Sequence, residues 1–417
     1  MASLMYSSSL CVLITCLLSV MTATADTVEL MNGQLIDGTV VEQTAANVTI
    51  TATAGAGSVD MKIPAGRIHA VTVGGKRQVV IPRPTRTQVD ALIQKAGTTP
   101  PDWWDSVPLE YPATLDLSWA KPKPGTPWNP QKNVGQYIWS VINENPGKWK
   151  SGTKFLHHVL AVNKDNPQAV NQAIGALANT YQTLLQDYAR AAFWRRKALQ
   201  RSPDDFSHGV RLAECYWLLG NKEMAVEQLA KFRRYVAPLS IKLWSDMGNL
   251  EEALAEADSL AALGTPDQAY LAAGDACRLH AQYGKALEYY EKVLAVPEGK
   301  RYGKITKDRA RASIAAIKVF DTLDLKRIPD GTYASTSISY AGPLSVAVEI
   351  KNGRIESVKV TKHSDKQYYT AITDTTRRIV EVQGVKGIDA VTSATITCEA
   401  IINATAKALA EAMSTPN

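Results

Sequence analysis

The residues best placed for chemistry lie near the end of the chain, in a run rich in hydroxyl groups. Residues 392–397 are Thr-Ser-Ala-Thr-Ile-Thr, and Glu399 follows closely. We expect Thr397 to cap a C-terminal helix and Glu399 to lie in its first turn, where a carboxylate suits the helix dipole. Backbone N–H groups at such a start can hold a phosphate, and the hydroxyl groups add donors. The run predicts either an anion-binding loop or a purely structural cap.

Other redox and metal chemistry is excluded by residue type and spacing. Two of the five cysteines fall in the first 25 residues, which leaves Cys215, Cys277 and Cys398 far apart in sequence. This odd set does not describe a disulfide framework, a Cys-x-x-Cys-His haem attachment or a four-cysteine iron–sulfur cluster. The six His are scattered, so we predict no metal site. An electron carrier would therefore be organic or belong to a partner.

Two further functions are excluded by pattern. No Gly-x-Gly-x-x-Gly fingerprint of a nicotinamide-binding site occurs in the chain. The formal charge of +6 is small for 417 residues, and no basic cluster is interleaved with aromatic residues. We therefore predict no binding of nucleic acid.

The elements around the hydroxyl-rich run predict an α+β unit over residues 328–417. Apolar and polar residues alternate over 344–350, which is typical of a half-buried strand, and Asn352-Gly353 supplies a two-residue hairpin turn. A helix is predicted around Tyr369–Val382. The apolar positions of the terminal segment mark one face of a second helix, at Ile402, Ala406, Leu409 and Met413.

The order of these pieces resembles the FMN-binding domain family. The resemblance rests on Tyr-x-Gly-Pro at 340–343, the Asn-Gly hairpin, His363 with an acid nearby, and Asp-Ala-Val-Thr-Ser-Ala-Thr-x-Thr at 389–397. It covers about 328–413. The family includes flavin-carrying subunits of sodium-pumping quinone reductases and accessory domains of exported reductases. The resemblance implies FMN as cofactor, esterified through its phosphate to a threonine by a flavin transferase.

The resemblance also assigns roles by position. Thr395 would be the attachment residue, and the phosphate and ribityl chain would lie along Asp389, Thr392, Ser393, Ala394 and Thr397. The isoalloxazine pocket would be near His363, Tyr340 and Gly342. The chain departs from the family pattern at three positions, where Ser393 replaces Gly, Cys398 replaces Ser and Asp365 replaces Glu.

The first residues predict export. An apolar run over 10–21 is followed by Ala23-Thr24-Ala25, which is typical of a secretory signal peptide over residues 1–25. The alternatives are an uncleaved membrane anchor and a lipid anchor at Cys16. We expect an extracytoplasmic location, periplasmic or secreted.

Residues 26–80 have strand periodicity. Short β-branched runs are broken by Asn-Gly, Asp-Gly and Gly-rich turns, and five short strands predict a small β-barrel that resembles SH3-like or Sm-like folds. His69 lies in an alternating strand, where we expect a structural or surface role.

Residues 81–134 are rich in Pro and Trp and predict an extended linker. Its tryptophans either bind a partner or pin the linker onto neighbouring domains. From 135 to 323 the periodicity is helical, and a Gly followed by an Ala recurs at 220 and 225, 248 and 253, and 284 and 286, near the period of tetratricopeptide repeats. Such an array either binds a partner or acts as a spacer.

These observations predict a multidomain chain: a small all-β barrel, all-α tetratricopeptide-like repeats, then an α+β FMN-binding domain. The main hypothesis is an exported flavoprotein that relays electrons between redox partner proteins, with the repeats as docking surface and a possible association with a membrane complex. An electron-transfer protein is preferred to a self-sufficient oxidoreductase acting on a small acceptor. The alternative is a non-redox scaffold with a degenerate FMN-binding domain, which Ser393 supports.

Overall fold

The computed structural model of the chain describes residues 25–31, 35–54, 57–297, 303–365, 369–388 and 395–414. The strands are β1 Asp26–Leu30, β2 Leu35–Gln43, β3 Asn47–Ala54, β4 Gly57–Pro64, β5 Ile68–Val73, β6 Lys76–Val79, β7 Gly331–Ser339, β8 Gly342–Lys351 and β9 Arg354–Lys362. The helices are α1 Arg86–Thr98, α2 Val134–Tyr137, α3 Trp149–Val162, α4 Pro167–Asn179, α5 Tyr188–Arg201, α6 Phe206–Leu218, α7 Lys222–Ala230, α8 Pro238–Asp246, α9 Leu250–Ala262, α10 Pro266–Leu279, α11 Tyr283–Ala295, α12 Gly303–Phe320, α13 Tyr369–Val382 and α14 Thr395–Ser414.

The N-terminal strands form an antiparallel sheet, and it is open. The strand order is β4-β3-β2-β1-β5-β6, so β4 and β6 lie at opposite edges in the part of the chain that the structure describes. The predicted barrel is therefore wrong, although the all-β character is confirmed. Helix α13 of the C-terminal unit covers the sheet, since Val382 packs against the core formed around Val28, Ile50 and Met61. A sheet whose apolar face is already covered need not close on itself.

The segment predicted as a linker contains a helix. Thr85 and Gln88 form a capping box at the start of α1, where the Gln88 N–H donates to Thr85 Oγ1 over 3.3 Å and the Thr85 N–H donates to Gln88 Oε1 over 2.9 Å. Val89 and Ile93 of α1 are buried in the helical core. An extended linker over the whole of 81–134 is therefore wrong, because an apolar stripe on residues 86–98 has a core to pack against.

The tryptophans of this segment lie on the helical region. Trp119 is buried in its core, and Trp104 meets His157 edge-on with ring centroids 5.0 Å apart. Lys154 Nζ donates to the carbonyl oxygens of Trp104 and Val107 over 3.0 and 2.7 Å. The segment is thus held against α3, as expected if its tryptophans pack on a neighbouring domain.

Helices α3 to α12 form the central region, and most of them pack against the next helix along the chain, which confirms its all-α character. Gly220 and Gly248 have φ of +87° and +81° where one helix ends and the next begins, a conformation that favours glycine. The assignment to tetratricopeptide repeats stays a prediction. Within the described ranges, no helix combines the length and the apolar character needed to cross a membrane.

The C-terminal unit is a three-stranded antiparallel sheet, β7-β8-β9, with α13 and α14 packed against it. The predicted hairpin is confirmed, since Asn352 and Gly353 have φ of +50° and +68° and join β8 to β9. The inward residues of β8, among them Leu344, Val346 and Val348, are fully buried. Each such side chain stabilises the fold by about 1.5–3 kcal/mol relative to exposure.

This unit and the end of the helical region share one hydrophobic core. Cys277 of α10, Tyr290 of α11 and Phe320 of α12 belong to the same buried cluster as Val346 of β8 and Ile401 of α14. The last helices of the array therefore cover the C-terminal unit, and the two parts meet through buried side chains.

A polar cluster lies inside this shared interface. Arg309 of α12 donates from Nη2 to Glu399 Oε2 of α14 over 2.6 Å and lies 3.6 Å from Asp275 Oδ2 of α10. Tyr290 donates its hydroxyl proton to Asp275 Oδ1 over 2.7 Å. Two carboxyl groups thus meet one guanidinium group in a water-poor site.

The carboxyl groups of this cluster differ in protonation. Burial and the adjacent Glu399 carboxylate raise the pKa of Asp275 well above its usual range. Burial acts to raise the pKa of Glu399, but the charge of Arg309 and the hydrogen bonds with Asp275 and Arg309 together hold that pKa below its usual value. A proton is therefore retained more readily on Asp275 than on Glu399, which forms the ion pair with Arg309.

The proton on Asp275 makes stability depend on pH. Above the ordinary aspartate pKa the unfolded chain releases a proton that the native state keeps, so the free energy of unfolding falls as pH rises. The loss is about 1.4 kcal/mol for each pH unit over which the proton is retained. We expect Asp275→Asn to be more stable than the wild type at neutral pH and to lose this advantage toward pH 4, as measured by urea unfolding. An Asn variant that is less stable at every pH would contradict the assignment.

Candidate functional site

The site is built around the start of α14. This helix begins at Thr395, so the expectation that Thr397 is its N-cap is wrong: Thr397 is the third residue of the helix. Its buried hydroxyl bonds to a side chain outside the helix instead of to the helix backbone. Glu399 lies beyond the first turn and pairs with Arg309. The first turn therefore contains no acidic residue.

Asp365 connects the segments of this site. It is 6% exposed and follows β9 by three residues. Its carboxylate accepts hydrogen bonds from the Thr397 hydroxyl over 2.7 Å, from the Ala341 N–H over 2.8 Å and from the Ser339 hydroxyl. One buried carboxylate thus joins the end of β7, the β7–β8 turn and the first turn of α14. Hydrogen bonds to a charged acceptor are the stronger kind in proteins.

The Tyr-x-Gly-Pro motif makes the turn that Asp365 holds. Tyr340 and Ala341 link β7 to β8, and the Tyr340 side chain is 64% exposed. Gly342 has a φ of +133°, which side-chain-bearing residues rarely adopt, while a Cβ at this position would meet open space. Gly342 is therefore required by the backbone conformation.

His363 lies on the same connection. It follows β9, is partly buried, and its Nδ1 is 3.0 Å from the Asp365 carbonyl oxygen. Because a carbonyl oxygen only accepts, the proton of this hydrogen bond belongs to Nδ1. The ring orientation is thereby tied to the backbone that carries the central carboxylate.

The structure brings Thr395, Thr397, His363, Tyr340 and Gly342 to one end of the C-terminal unit. The remaining predicted residues lie outside the described residues, namely Asp389, Thr392, Ser393 and Ala394. Thr395 is half-buried, and within the described part of the chain its hydroxyl has no hydrogen-bond partner.

The residues that support this end of the unit are not evident from sequence. The resemblance gives Asp365 as an acid near His363 that replaces Glu, and no pattern singles out Ser339. Both are buried polar residues with partners distant in sequence. Asp365 bonds to Ser339, 26 residues before it, and to Thr397, 32 residues after it. The available signal was an acid three residues after an alternating strand, close to His363.

The geometry suits an anion and not a metal. The first turn of α14 carries hydroxyl groups but no carboxylate, and N–H groups near a helix start can hold an anion. The three donors to Asp365 already occupy its oxygens. Among the described residues no group of three or more His, Cys, Asp or Glu could hold a metal ion.

Comparison with known proteins agrees with this geometry. Residues 339–410 match the model of the FMN-binding domain. An uncharacterized protein of Treponema pallidum (strain Nichols) is 42% identical over 82 residues, which are 19% of this chain and 22% of that protein. The chain therefore spans only about a fifth of the length of that curated relative. Residues 339–410 of this chain are an FMN-binding domain, and FMN is the cofactor that the domain indicates.

Proposed function

We propose that this chain is an exported flavoprotein that carries FMN on Thr395 and relays electrons between partner proteins. The observation that carries the proposal is the state of Thr395. Its hydroxyl has no partner among the described residues, at the first residue of a helix whose first turn is held in place by Asp365. This helix start lies within the residues that match the FMN-binding domain.

The residues around Thr395 fit a flavin phosphate. The N–H groups of the first turn of α14 stabilise negative charge, and no acidic side chain of that turn opposes it. Asp389, Thr392, Ser393 and Ala394 follow the phosphate and ribityl chain in this proposal. The proposal places His363 and the exposed Tyr340 near the isoalloxazine ring. Gly342 allows the β7–β8 turn that carries Tyr340.

Attachment is a phosphoester bond to Thr395. The Thr395 hydroxyl loses its proton and its Oγ1 bonds to the flavin-side phosphorus of an activated flavin dinucleotide. The second nucleotide leaves with its phosphate, taking the electron pair of the broken P–O bond. A flavin transferase supplies this activated donor and accepts the proton.

The chain's own side chains support electron relay better than independent catalysis. FMN supplies the redox chemistry when bound, and the protein orients it and sets its environment. Burial raises the pKa of the Cys277 thiol to about 11, and the thiol of Cys215 is shifted in the same direction by burial. These thiols are therefore unsuited to nucleophilic or redox work. The exposed Tyr340 marks a side of the site that a partner can approach.

The helical array and the N-terminal segment complete the proposal. Helices α3 to α12 offer a surface on which a redox partner docks, as stacked helix pairs commonly do. Residues 1–25 direct export, so that the flavin works outside the cytoplasm, with or without a membrane complex nearby. An interaction scaffold without flavin is the competing function, and the experiments below separate the two.

Replacing Thr395 tests the attachment directly. We expect the wild type, produced in a host that has a flavin transferase, to be yellow and to stay fluorescent on a denaturing gel. Thr395→Ala removes the attacking oxygen and abolishes the fluorescent band, whereas Thr395→Ser keeps a hydroxyl and retains it. A fluorescent band in Thr395→Ala would assign the attachment to another residue.

Replacing Asp365 tests whether its carboxylate holds the segments of the site together. Asp365→Asn retains one acceptor oxygen where three donors converge, so buried donors lose partners at about 1–3 kcal/mol each. We expect a lower midpoint in urea unfolding and at least a severalfold fall in flavin per protein, measured by absorbance. Glu356→Gln, at an exposed position of β9, is the matched control and should change neither. Wild-type flavin content in Asp365→Asn would contradict the role of this carboxylate.

A further inference from the structure

The last helix of the array runs beside the helix that starts at Thr395. Arg309 and Ser313 lie one turn apart on α12, and their partners Glu399 and Asn403 lie one turn apart on α14. The two helices are therefore parallel and in register. Residues 305–308 of α12 lie beside the first turn of α14 as a consequence.

The contact to Glu399 is close to Thr395. Glu399 follows Thr395 by one helical turn, which is about 6 Å along the helix axis. Its side chain is 9% exposed and that of Arg309 is 13% exposed. The ion pair is thus enclosed between the array and the C-terminal unit, one helical turn after the proposed attachment residue.

A second contact from the array holds the next turn. Arg278 of α10 donates from Nη1 to Asn403 Oδ1 over 3.0 Å, and its guanidinium group stacks over the Phe320 ring at 5.1 Å. Asn403 in turn donates to Ser313 Oγ over 3.4 Å. Two successive turns of α14 are therefore held by polar side chains of the array.

Such contacts fix position more than they add stability. Removing two charged groups from water costs several kcal/mol, and an apolar pair of similar size is often as stable. An apolar interface also tolerates sliding, whereas an arginine that binds one carboxylate sets both the depth and the rotation of a helix. The polar contacts that the array makes with α14 lie near the start of this helix, beside the apolar side chains that the two parts share.

We propose that the helical array is part of the flavin site, because Arg309 positions the start of α14 through Glu399. The proposal rests on the proposed function, since the group that α14 presents is the flavin attached to Thr395. Arg309 is a positioning residue and does not touch the flavin. The charged and titratable groups around it are Asp275, Arg278, Tyr290 and Glu399.

The first test needs no flavin. In the full chain with Thr395→Ala, amide hydrogen exchange is measured over the first two turns of α14. We expect Arg309→Met to speed exchange there by about tenfold, a coupling of ordinary size between contacting elements. Arg309→Lys keeps the charge and should give an intermediate rate. Arg377→Met, which breaks an exposed pair with Glu381 on α13, is the matched control and should leave these amides unchanged.

The second test uses the flavin-bearing protein. We expect Arg309→Met to slow attachment by the transferase by about tenfold and to lower the flavin midpoint potential, because a positive charge near the flavin is lost. Arg309→Lys should restore the potential, since its charge is kept. A merely structural role would lower thermal stability without moving the potential.

The outcomes of the two tests distinguish failure of the Arg309 proposal from failure of the proposed flavin function. Faster exchange in Arg309→Met together with slower attachment supports the proposal, and if that variant does not fold, Arg309→Lys decides by the same two measurements. Unchanged exchange, or faster exchange with wild-type attachment and potential, overturns it. A wild type that takes up no flavin refutes the proposed function, whatever the exchange result.

Discussion

The hydrogen bonds to the buried carboxylate of Asp365 set the geometry on which the site depends. A buried carboxylate is tolerated only when donors surround it, and here the donors come from the end of β7, the β7–β8 turn and the first turn of α14. The donors are close in space but distant in sequence, so the carboxylate fixes one arrangement of three segments. Thr395 gains its position from this arrangement, since Thr397 is anchored two residues farther along the same helix.

Packing of the helical array also restrains the C-terminal unit. Helices α10 to α12 share a core with the C-terminal sheet, and the N-terminal sheet packs on α13 from another side. The FMN-binding domain is thus covered by both preceding parts of the chain. A small three-stranded sheet with two helices buries little surface alone, so these contacts supply much of its core. Apolar burial stabilises this interface, and the polar cluster at Arg309 specifies how the two parts are aligned.

Local features were predictable from sequence, while features set by distant contacts were not. The Asn352-Gly353 turn and helix α13, Tyr369–Val382, follow from residue type and periodicity, which act over a few positions. The open sheet could not be predicted, because apolar and polar residues alternate in the same way in an open sheet and in a barrel. Helix α1 was not predicted, because the prolines that flank it within 81–134 indicate an extended segment. The partners of Asp365 required the tertiary structure.

The most direct test of the central claim is fragmentation mass spectrometry of peptides from the wild-type protein, made in a host with a flavin transferase. The account predicts one flavin-bearing peptide, with the mass of FMN less one water localised on Thr395. A flavin-bearing peptide that lacks Thr395 would contradict the assignment of the residue. Complete recovery of the unmodified Thr395 peptide from a colourless protein would contradict the flavoprotein itself.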